Sequence, residues 1–457
     1  MSDKFYGSDV RISLPEDVKL IIRTINEAGY EAYAVGGCVR DRLLGKEPND
    51  YDITTSATPE EIKALFRRTI DTGIQHGTVT IMLKDTGYEV TTYRIDGKYE
   101  DNRHPSSVSF TRSLKEDLLR RDFTINAMAY NDDEGLVDLF GGQQDMEDKI
   151  IRCVGDPIKR FSEDALRIMR AVRFSAQLGY EIEPETLKAM SALASNLKDI
   201  SMERIQVELV KLICSPHPEH IKIAYEQGLT KVFMPEFDSM METSQNHPHH
   251  MYSVGGHTIK TMEVSPPIRE LRLSMLFHDS GKPQVKTTDE EGIDHFHGHN
   301  EVSKHIANEV LHRLKFDNYT IKLVKDMSYY HDIKIEGNHR AVRRAINKIG
   351  IDEFKLLLMV KEADVLGQSD YKRSEKLEEV DTLRKLYQDI LEKNECLGLK
   401  DLKIDGKILM DMGYPKGPKL GIELNKLLDR VLEDPSINDE VILSDLARKD
   451  LDEIKCI

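Results

Sequence analysis

Asp50 and Asp52 are separated by a single residue in NDYDITT, shortly after an apolar stretch, EAYAVGG (31–37), that closes on Gly36-Gly37. On a strand, side chains alternate, so a strand edge over Asp50-Tyr51-Asp52 projects both carboxylates from one face. Such a pair can share hard divalent cations. Glu89, in YEVTTYR (88–94), can supply a third oxygen ligand from a neighbouring strand. Magnesium takes oxygen ligands together with substrate phosphates, and two such ions clamp an in-line phosphoryl displacement. The glycines let backbone N–H groups approach a triphosphate, and Arg40 can pair with it bidentately. Alone, an Asp-x-Asp is usually a solvated loop and a Gly-Gly pair a plain turn; the weight lies in their combination at this spacing.

The elements around these residues alternate between helix and strand. Residues 16–29 read as a helix, 31–37 as a short buried strand, and VRDRLLG as a helix closing on Gly45. Asp50–Ile53 reads as a strand edge. Thr55–Phe66 reads as a helix, with Thr58-Pro59-Glu60-Glu61 as cap, first-turn proline and acidic first turn. Strands follow at TVTIML (78–83) and YEVTTYR (88–94). From Asp156-Pro157 onward the pattern is wholly helical, so the expected class is α+β: a head with a small mixed sheet, then an all-helical body.

The chain has 457 residues, which at about 150 residues per domain suggests about three packed units. Five cysteines (Cys38, Cys153, Cys214, Cys396, Cys456) are odd in number and never form a CxxC pair, so neither a disulfide framework nor a thiolate zinc site is indicated. A net charge of -16 argues against a whole-surface nucleic-acid binder. It leaves room for a local basic groove, and Lys159–Arg173 carries five basic residues against two acidic ones. No apolar run approaches the roughly 20 residues of a bilayer helix, and the opening MSDKFYGSDV is polar, so the expected location is the cytoplasm, with no membrane partner.

Gly-Gly-x-x-Arg-Asp-x-x-Leu-Gly (36–45) followed by Asp-x-Asp-x-x-Thr (50–55) resembles the signature of the DNA polymerase β-like nucleotidyltransferases, specifically the class II tRNA nucleotidyltransferase and bacterial poly(A) polymerase family. RRDFTINAMAYN (120–131) resembles the second block of that family, which implies that Arg121 contacts the triphosphate. DLFGGQQDMEDKIIR (138–152) is similar to the third, a hinge. RFSEDALRIMRAVRF (160–174) is similar to the fourth, which implies that its aspartate and arginines read the incoming base. ERIQVELVKL (203–212) matches the last block, on a neck helix.

The fourth block also has a reading of its own. Asp164, Arg167, Arg170 and Arg173 recur at i+3 and so lie on adjacent parts of a helical face. The bland reading is a surface ion-pair ladder. The functional one uses complementarity: a carboxylate only accepts and a guanidinium only donates, and both cytosine and adenine present an amine beside a ring-nitrogen acceptor. Uracil and guanine present a carbonyl beside an N–H.

Ten of the sixteen histidines lie between His247 and His312. His257, then His278-Asp279 in LFHDSGK, then His299 in FHGH, and later Asp364 in EADVLGQ resemble the HD phosphohydrolase pattern of helical metal sites. His295, His297 and His331 are further candidates, and HPHH (247–250) reads as a loop. Such a donor set suits several divalent ions. The resemblance implies hydrolysis of 2′,3′-cyclic phosphates or nucleotides. GYPKGPKLG (413–421) and the charged helix after it resemble the family's tail, which holds the tRNA elbow.

The resemblances together imply a nucleotidyltransferase head (1–140), a helical neck (141–225), an HD domain (226–370) and a helical tail (371–457). They imply addition of C, C and A to a tRNA 3′ end from CTP and ATP, with release of pyrophosphate. Asp50 and Asp52, with Glu89, would hold Mg²⁺; Gly37, Arg40 and Arg121 would position the triphosphate; Asp164, Arg167, Arg170 and Arg173 would contact and select the nucleotide. His257, His278, Asp279 and Asp364 would hold a second divalent metal. The rivals are a poly(A) polymerase or A-adding relative, an HD phosphohydrolase with a vestigial head, and a non-catalytic RNA-binding protein. RIDGKYEDNRHPSSVSF (94–110) resembles the flexible loop of full CCA enzymes and disfavours a CC-only enzyme.

Overall fold

In the computed structural model residues 10–97, 108–246 and 251–455 are described. Residues 98–107 of the expected flexible loop, and the HPHH segment, lie outside the described residues. The chain divides into two compact units, Met1–Asp238 with Arg313–Lys315, and Ser239–His312 with Phe316–Ile457.

The first unit is built on a seven-stranded sheet. Its strands are β1 (Ala32–Val35), β2 (Ile53–Thr55), β3 (Thr69–Gly73), β4 (Thr78–Leu83), β5 (Thr86–Thr92), β8 (Met128–Asn131) and β9 (Gly135–Asp138). Between β5 and β8 in sequence, β6 (Arg94–Asp96) and β7 (Val108–Phe110) form a separate antiparallel pair. The sheet order is β3-β4-β5-β2-β1-β8-β9, with β2 parallel to β5 and the other pairs antiparallel.

β1 is central because its alternation serves two cores. Ala32 and Ala34 pack with Ile21, Ile25, Ile53, Val79 and Val90 on one face. Tyr33 and Val35 pack with Tyr93, Leu118, Ala129 and Val137 on the other.

Helix α1 (Glu16–Glu27) lays Val18, Ile21, Ile22 and Ile25 on the first of these cores, at the spacing of one helical face. Helix α2 (Gly37–Leu43) follows β1 directly. Helix α3 (Pro59–Leu65) starts later than the pattern over Thr55–Phe66 suggests. Thr58 caps it in a reciprocal capping box with Glu61, and Thr55 Oγ1, at the end of β2, accepts from the Ala57 N–H (3.0 Å), so Ser56 and Ala57 bend the chain between strand and helix.

The strand expected at Asp50–Ile53 begins at Ile53 instead. The ladder still reaches Asp52, whose carbonyl accepts from the Val35 N–H at 2.9 Å. Asp50 lies beyond it. The region after Asp156 is helical as expected, with two exceptions. Glu181–Ile182 pairs in parallel with Ile150–Ile151, and Thr287–Thr288 pairs with Asp294–His295. Two-residue strands are too short for a readable period-two pattern.

The second unit is helical apart from that last pair. Helices Val254–Val264, Arg269–Phe277, Asn318–Tyr330 and Ile351–Gly367 carry its interior. Towards the C-terminus, Leu409, Leu427, Val431, Leu443 and Ala447 form a separate core from three helices. Among the described residues no helix is long and apolar enough to cross a membrane.

Candidate functional site

Register brings the expected head residues together. Ala34 pairs with Ile53 and Ile53 with Val90, so the next positions along the three strands are Val35, Asp52 and Glu89. Partners on adjacent strands share a face, which places Asp52 and Glu89 side by side. Asp50, Asp52 and Glu89 are all exposed. Protein packed around Asp52 still limits its hydration; that burial raises its carboxyl above the usual range, Arg121 opposes the shift, and the charges of Asp50 and Glu89 add to it. Three carboxylates and no histidine or thiolate make a donor set for a hard cation. Cys38, nearby, is buried, and that burial pushes its thiol up to about 11.

Gly36 joins β1 to α2 at φ 81°, ψ -131°, a conformation that suits glycine. A Cβ there would also stand 2.9 Å from Arg121 Nη1. Gly36 thus lets the Arg121 guanidinium lie against the turn, facing Asp52. Asp117 is fully buried beneath it, 3.6 Å from Arg121 Nη2, and is fixed by Thr54 Oγ1 (3.0 Å) and Arg120 Nη2 (2.7 Å). Arg40 is held on two sides: Nη1 donates to Asn126 Oδ1 (2.6 Å), and Nε and Nη2 donate to Asp41 Oδ1 (2.9 and 2.7 Å). Gly37 sits within reach, an added Cβ lying 3.6 Å from Arg40 Nη2.

The fourth-block residues lie on helix Leu166–Leu178 and just before it, and each finds a partner on another segment. Asp164 Oδ2 accepts from Arg204 Nη2 (2.8 Å), and its Oδ1 accepts from the Leu166 N–H (3.1 Å). Arg167 donates to Glu163 (2.8 Å) and to the carbonyls of Arg160 and Arg120 (both 2.9 Å). Arg170 grips Asp122 Oδ2 through Nε and Nη2 (2.8 and 2.6 Å), and Arg173 pairs with Glu208 (2.6 Å). These are not the exposed rungs of a surface ladder, since the Arg173 and Glu208 side chains are only 9% and 5% exposed. Burial works to raise the Asp122 carboxyl, but the Arg170 guanidinium outweighs it and holds it at about 2. The Phe174 ring gathers three guanidiniums, from Arg40, Arg170 and Arg173, at 5.1, 5.3 and 3.8 Å from its centroid. Arg40 of the Gly-Gly block and the helix of the fourth block therefore meet over one ring.

In the second unit the four expected ligands meet. His257 Nε2 lies 2.9 Å from Asp364 Oδ1 and 3.3 Å from His278 Nε2, and His278 Nε2 lies 3.3 Å from Asp279 Oδ2. His299 and His331 join from the other side, each within 3.6 Å of Asp279 Oδ1. His295 and His297 stay apart, stacked on each other at 5.7 Å, with His295 bonded to Asp289. Burial works against the Asp279 carboxylate, yet His278 and Lys282 hold it well below the usual range. Burial, then the His278 charge, pushes His331 down to about 4. Ionised carboxylates among histidines, one of them held neutral, fit a borderline divalent ion.

Sequence reasoning missed Asp122, Asn126, Asp117, Phe174, Glu208 and Lys282. Asp122 and Asn126 lie inside the quoted RRDFTINAMAYN, and Glu208 is an acid set among apolar residues on a neck helix, so part of the signal was present. Phe174 reads only as a core residue.

Residues 32–152 match the family described as Poly A polymerase head domain, residues 179–241 an RNA and SrmB-binding site of polymerase A, and residues 286–447 a tRNA nucleotidyltransferase domain 2. With its mixed sheet and carboxylate cluster, the first unit carries a head of the nucleotidyltransferase type. The CCA-adding enzyme of Pediococcus pentosaceus is 34% identical over 436 residues, covering 95% of this chain and 98% of that protein. The chain belongs to the family of CCA-adding enzymes. The CCA-adding enzyme of Levilactobacillus brevis is 56% identical over 220 residues, 48% of this chain, and the match spans about half (54%) of that relative's length. The crystal structure of the Bacillus stearothermophilus CCA-adding enzyme in complex with CTP is similar at a TM-score of 0.72 and 29% identity, covering 97% of this chain and all (100%) of that one. A Thermotoga maritima CCA-adding enzyme complexed with tRNA shares the fold at a TM-score of 0.57 and 20% identity, covering 96% of each chain.

Proposed function

We propose that this chain adds C, C and A to the 3′ end of tRNA from CTP and ATP, with Mg²⁺ at Asp50 and Asp52. The observation that carries this reading is the placing of Asp52 beside Glu89, with Asp50 near and Arg121 against Gly36, in a chain that matches a CCA-adding enzyme end to end. The oxygen of the tRNA 3′ hydroxyl bonds to the α-phosphorus and gives up its proton to solvent, the bond to the bridging oxygen of the β-phosphate breaks, and pyrophosphate leaves. Magnesium, when bound, supplies charge stabilisation at the attacking and leaving oxygens. Asp50, Asp52 and Glu89 present its oxygen ligands; Arg121 and Arg40 bear on the triphosphate; the fourth-block helix faces the base. The remaining work is positioning. The test is incubation of the purified chain with tRNA lacking its 3′ end, Mg²⁺, and each labelled nucleotide singly and in pairs. Incorporation of C alone, then of A only after C, supports the reading. A-tails without C point to a poly(A) polymerase or an A-adding enzyme.

Gly36→Ala tests the Arg121 seat. The strained conformation costs about 1–3 kcal/mol, and displacing a positioning group by an ångström costs roughly 100-fold in rate. Extension with CTP should fall about 10- to 100-fold and the thermal midpoint should drop. Unchanged extension would remove Arg121 from triphosphate positioning.

The histidine cluster favours a second reading, that residues 226–370 act as an HD-type, metal-dependent hydrolase of 2′,3′-cyclic phosphates or nucleotides. His278→Ala and Asp279→Ala should each abolish hydrolysis and spare tRNA extension, because the two ligand sets belong to different compact units. Hydrolysis of 2′,3′-cyclic AMP is measured with Mg²⁺, Mn²⁺, Ni²⁺ and Co²⁺; inactivity with all four would leave the cluster structural.

A further inference from the structure

We propose that Asp117 is a positioning residue for nucleotidyl transfer: its buried carboxylate steers the Arg121 guanidinium toward the triphosphate while leaving the N–H groups of that guanidinium free for the phosphates. This rests on reading the head as a nucleotidyltransferase with Arg121 on the triphosphate. It gives a role to a residue that none of the motif blocks contains.

Asp117 takes a core position that seldom holds an acid. It lies on helix Leu114–Leu119, three residues after Leu114 and next to Leu118, and both leucines pack on the core of Tyr33, Val35 and Tyr93. The carboxylate is fully buried. An ionised group so placed is costly unless it is paired. Burial works to raise the Asp117 carboxyl, but Arg120 and then Arg121 outweigh it and hold it below the usual range, so it is charged at neutral pH. Local rules broken in this way mark positions that serve a site.

The sheet places that charge beside the carboxylate cluster. Thr54 follows Asp52 by two residues, and its partner Thr91 follows Glu89 by two, so both threonines share the face of those acids, about 7 Å further along the strands. Thr54 Oγ1 donates to Asp117 Oδ2 (3.0 Å). Asp117 therefore lies on the ligand-bearing face, one pleat from the site. Its Oδ1 accepts from Nε and Nη2 of Arg120 (2.9 and 2.7 Å) and from the Arg94 N–H (3.4 Å). Strand β2, strand β6 and the end of its own helix thus fix the carboxylate without any help from Arg121.

Arg121 is held differently. Its Nη2 is 3.6 Å from Asp117 Oδ2, beyond hydrogen-bond reach, and its Nε is buried with no hydrogen-bond partner among the described residues. Arg170 gives the contrast, since it grips Asp122 through two short bonds and must release them before it can meet a ligand. Arg121 has no such bond to Asp117 to break. Burial lowers the Arg121 guanidinium, and Asp117 is the leading charge that opposes the shift, ahead of Asp52. When a divalent cation sits on Asp52, Asp117 is the counter-charge that remains. Attraction from below and the missing Cβ of Gly36 on the other side therefore set where the guanidinium stands.

The test compares Asp117→Asn, Thr54→Val and Arg121→Ala, singly and combined, in the full chain with Mg²⁺. Asp117→Asn keeps the shape and removes the charge. It should weaken CTP about 10- to 100-fold, the loss that follows misplacement of a positioning group, read as KM in C addition and as Kd by calorimetry. Affinity for CMP, which lacks the outer phosphates, and the CTP:UTP ratio should not move. In the Arg121→Ala chain the same substitution should add no further loss, because the two residues act as one unit. Thr54→Val frees Asp117 Oδ2 and keeps the charge, so it should act in the same direction by less, and it carries the comparison if Asp117→Asn does not fold. Equal losses with and without Arg121, or loss of CMP together with CTP, make Asp117 a structural residue and overturn the proposal while the nucleotidyl-transfer reading stands. A fall in the CTP:UTP ratio overturns it too, by routing the effect through Arg120, whose carbonyl accepts from Arg167 Nη2 (2.9 Å). A parent chain that neither binds CTP nor adds C overturns both.

Discussion

Asp50→Ala and Asp52→Ala are each expected to slow addition of C to tRNA by at least about 100- to 1,000-fold, the loss that follows removal of one preorganised charge-stabilising group. Each variant should fold. Neither carboxylate is buried in a core, and Asp52 is crowded by burial and by the charges of Asp50 and Glu89, which raise its carboxyl. A raised carboxyl means that the folded state disfavours the ionised form, so this contribution to stability falls as pH rises through the ordinary carboxylate range. Removing Asp52 therefore relieves the fold at neutral pH, and the thermal midpoint of Asp52→Ala should be equal to or above that of the parent. Activity and stability move in opposite directions where a site gathers like charge for a ligand. The measurements are single-turnover CTP incorporation and a melting curve at pH 7. Near-parental incorporation by either well-folded variant would remove the metal assignment, and a large fall in midpoint for Asp52→Ala would make it a structural residue instead.

The sequence allowed the head to be read because local signals there agree with one another. The short apolar run of β1 (Ala32–Val35), the Gly36-Gly37 turn and the Thr58-Pro59 cap each have a mechanism that acts over a few residues, and the structure contains all three. The pattern starts β2 too early because Asp50 lies beyond the hydrogen-bonded run and Asp52 joins it only through its carbonyl, so the strand character of Ile53 does not extend to them. β8 and β9, four residues each, do not stand out from the motif block around them, since runs so short carry little periodicity.

The histidines show the opposite limit. His257, His278, Asp279, His299 and Asp364 are singled out by their resemblance to the HD pattern, not by any local periodicity. That His331 joins them while His295 and His297 do not depends on which way helices His299–Arg313 and Asn318–Tyr330 turn their faces. The same holds for the neck. Spacing puts Asp164, Arg167, Arg170 and Arg173 on adjacent parts of a helix, but their partners Arg204, Glu163, Asp122 and Glu208 come mostly from distant segments that only packing brings near.

Those partners sharpen the expected result for base choice. Asp164→Ala and Arg167→Ala are each expected to lower the preference for CTP and ATP over UTP and GTP by about 10- to 100-fold, the discrimination carried by one good bidentate contact. Arg121→Ala should slow all four nucleotides alike, because it bears on the triphosphate and not on the base. The reasoning is that Asp164 accepts from the exocyclic amine while Arg167 donates to the ring nitrogen, an arrangement that uracil and guanine meet with like groups opposed. In the structure Asp164 is tied to Arg204 and Arg167 to Glu163, so both groups already have partners and must share or exchange them to meet a base. A purely structural role is therefore a real competitor. It predicts that Arg167→Ala lowers the melting midpoint, by loss of its bonds to Glu163 and two carbonyls, and slows every nucleotide equally. Arg204→Ala separates the two: it removes the tether of Asp164 while keeping the carboxylate, so under the base-reading role it should preserve selectivity far better than Asp164→Ala does. Single-nucleotide incorporation rates for CTP, UTP, ATP and GTP decide between them. Unchanged CTP:UTP and ATP:GTP ratios in both Asp164→Ala and Arg167→Ala would leave this helix as a structural strut holding Arg170 and Arg173 around Phe174.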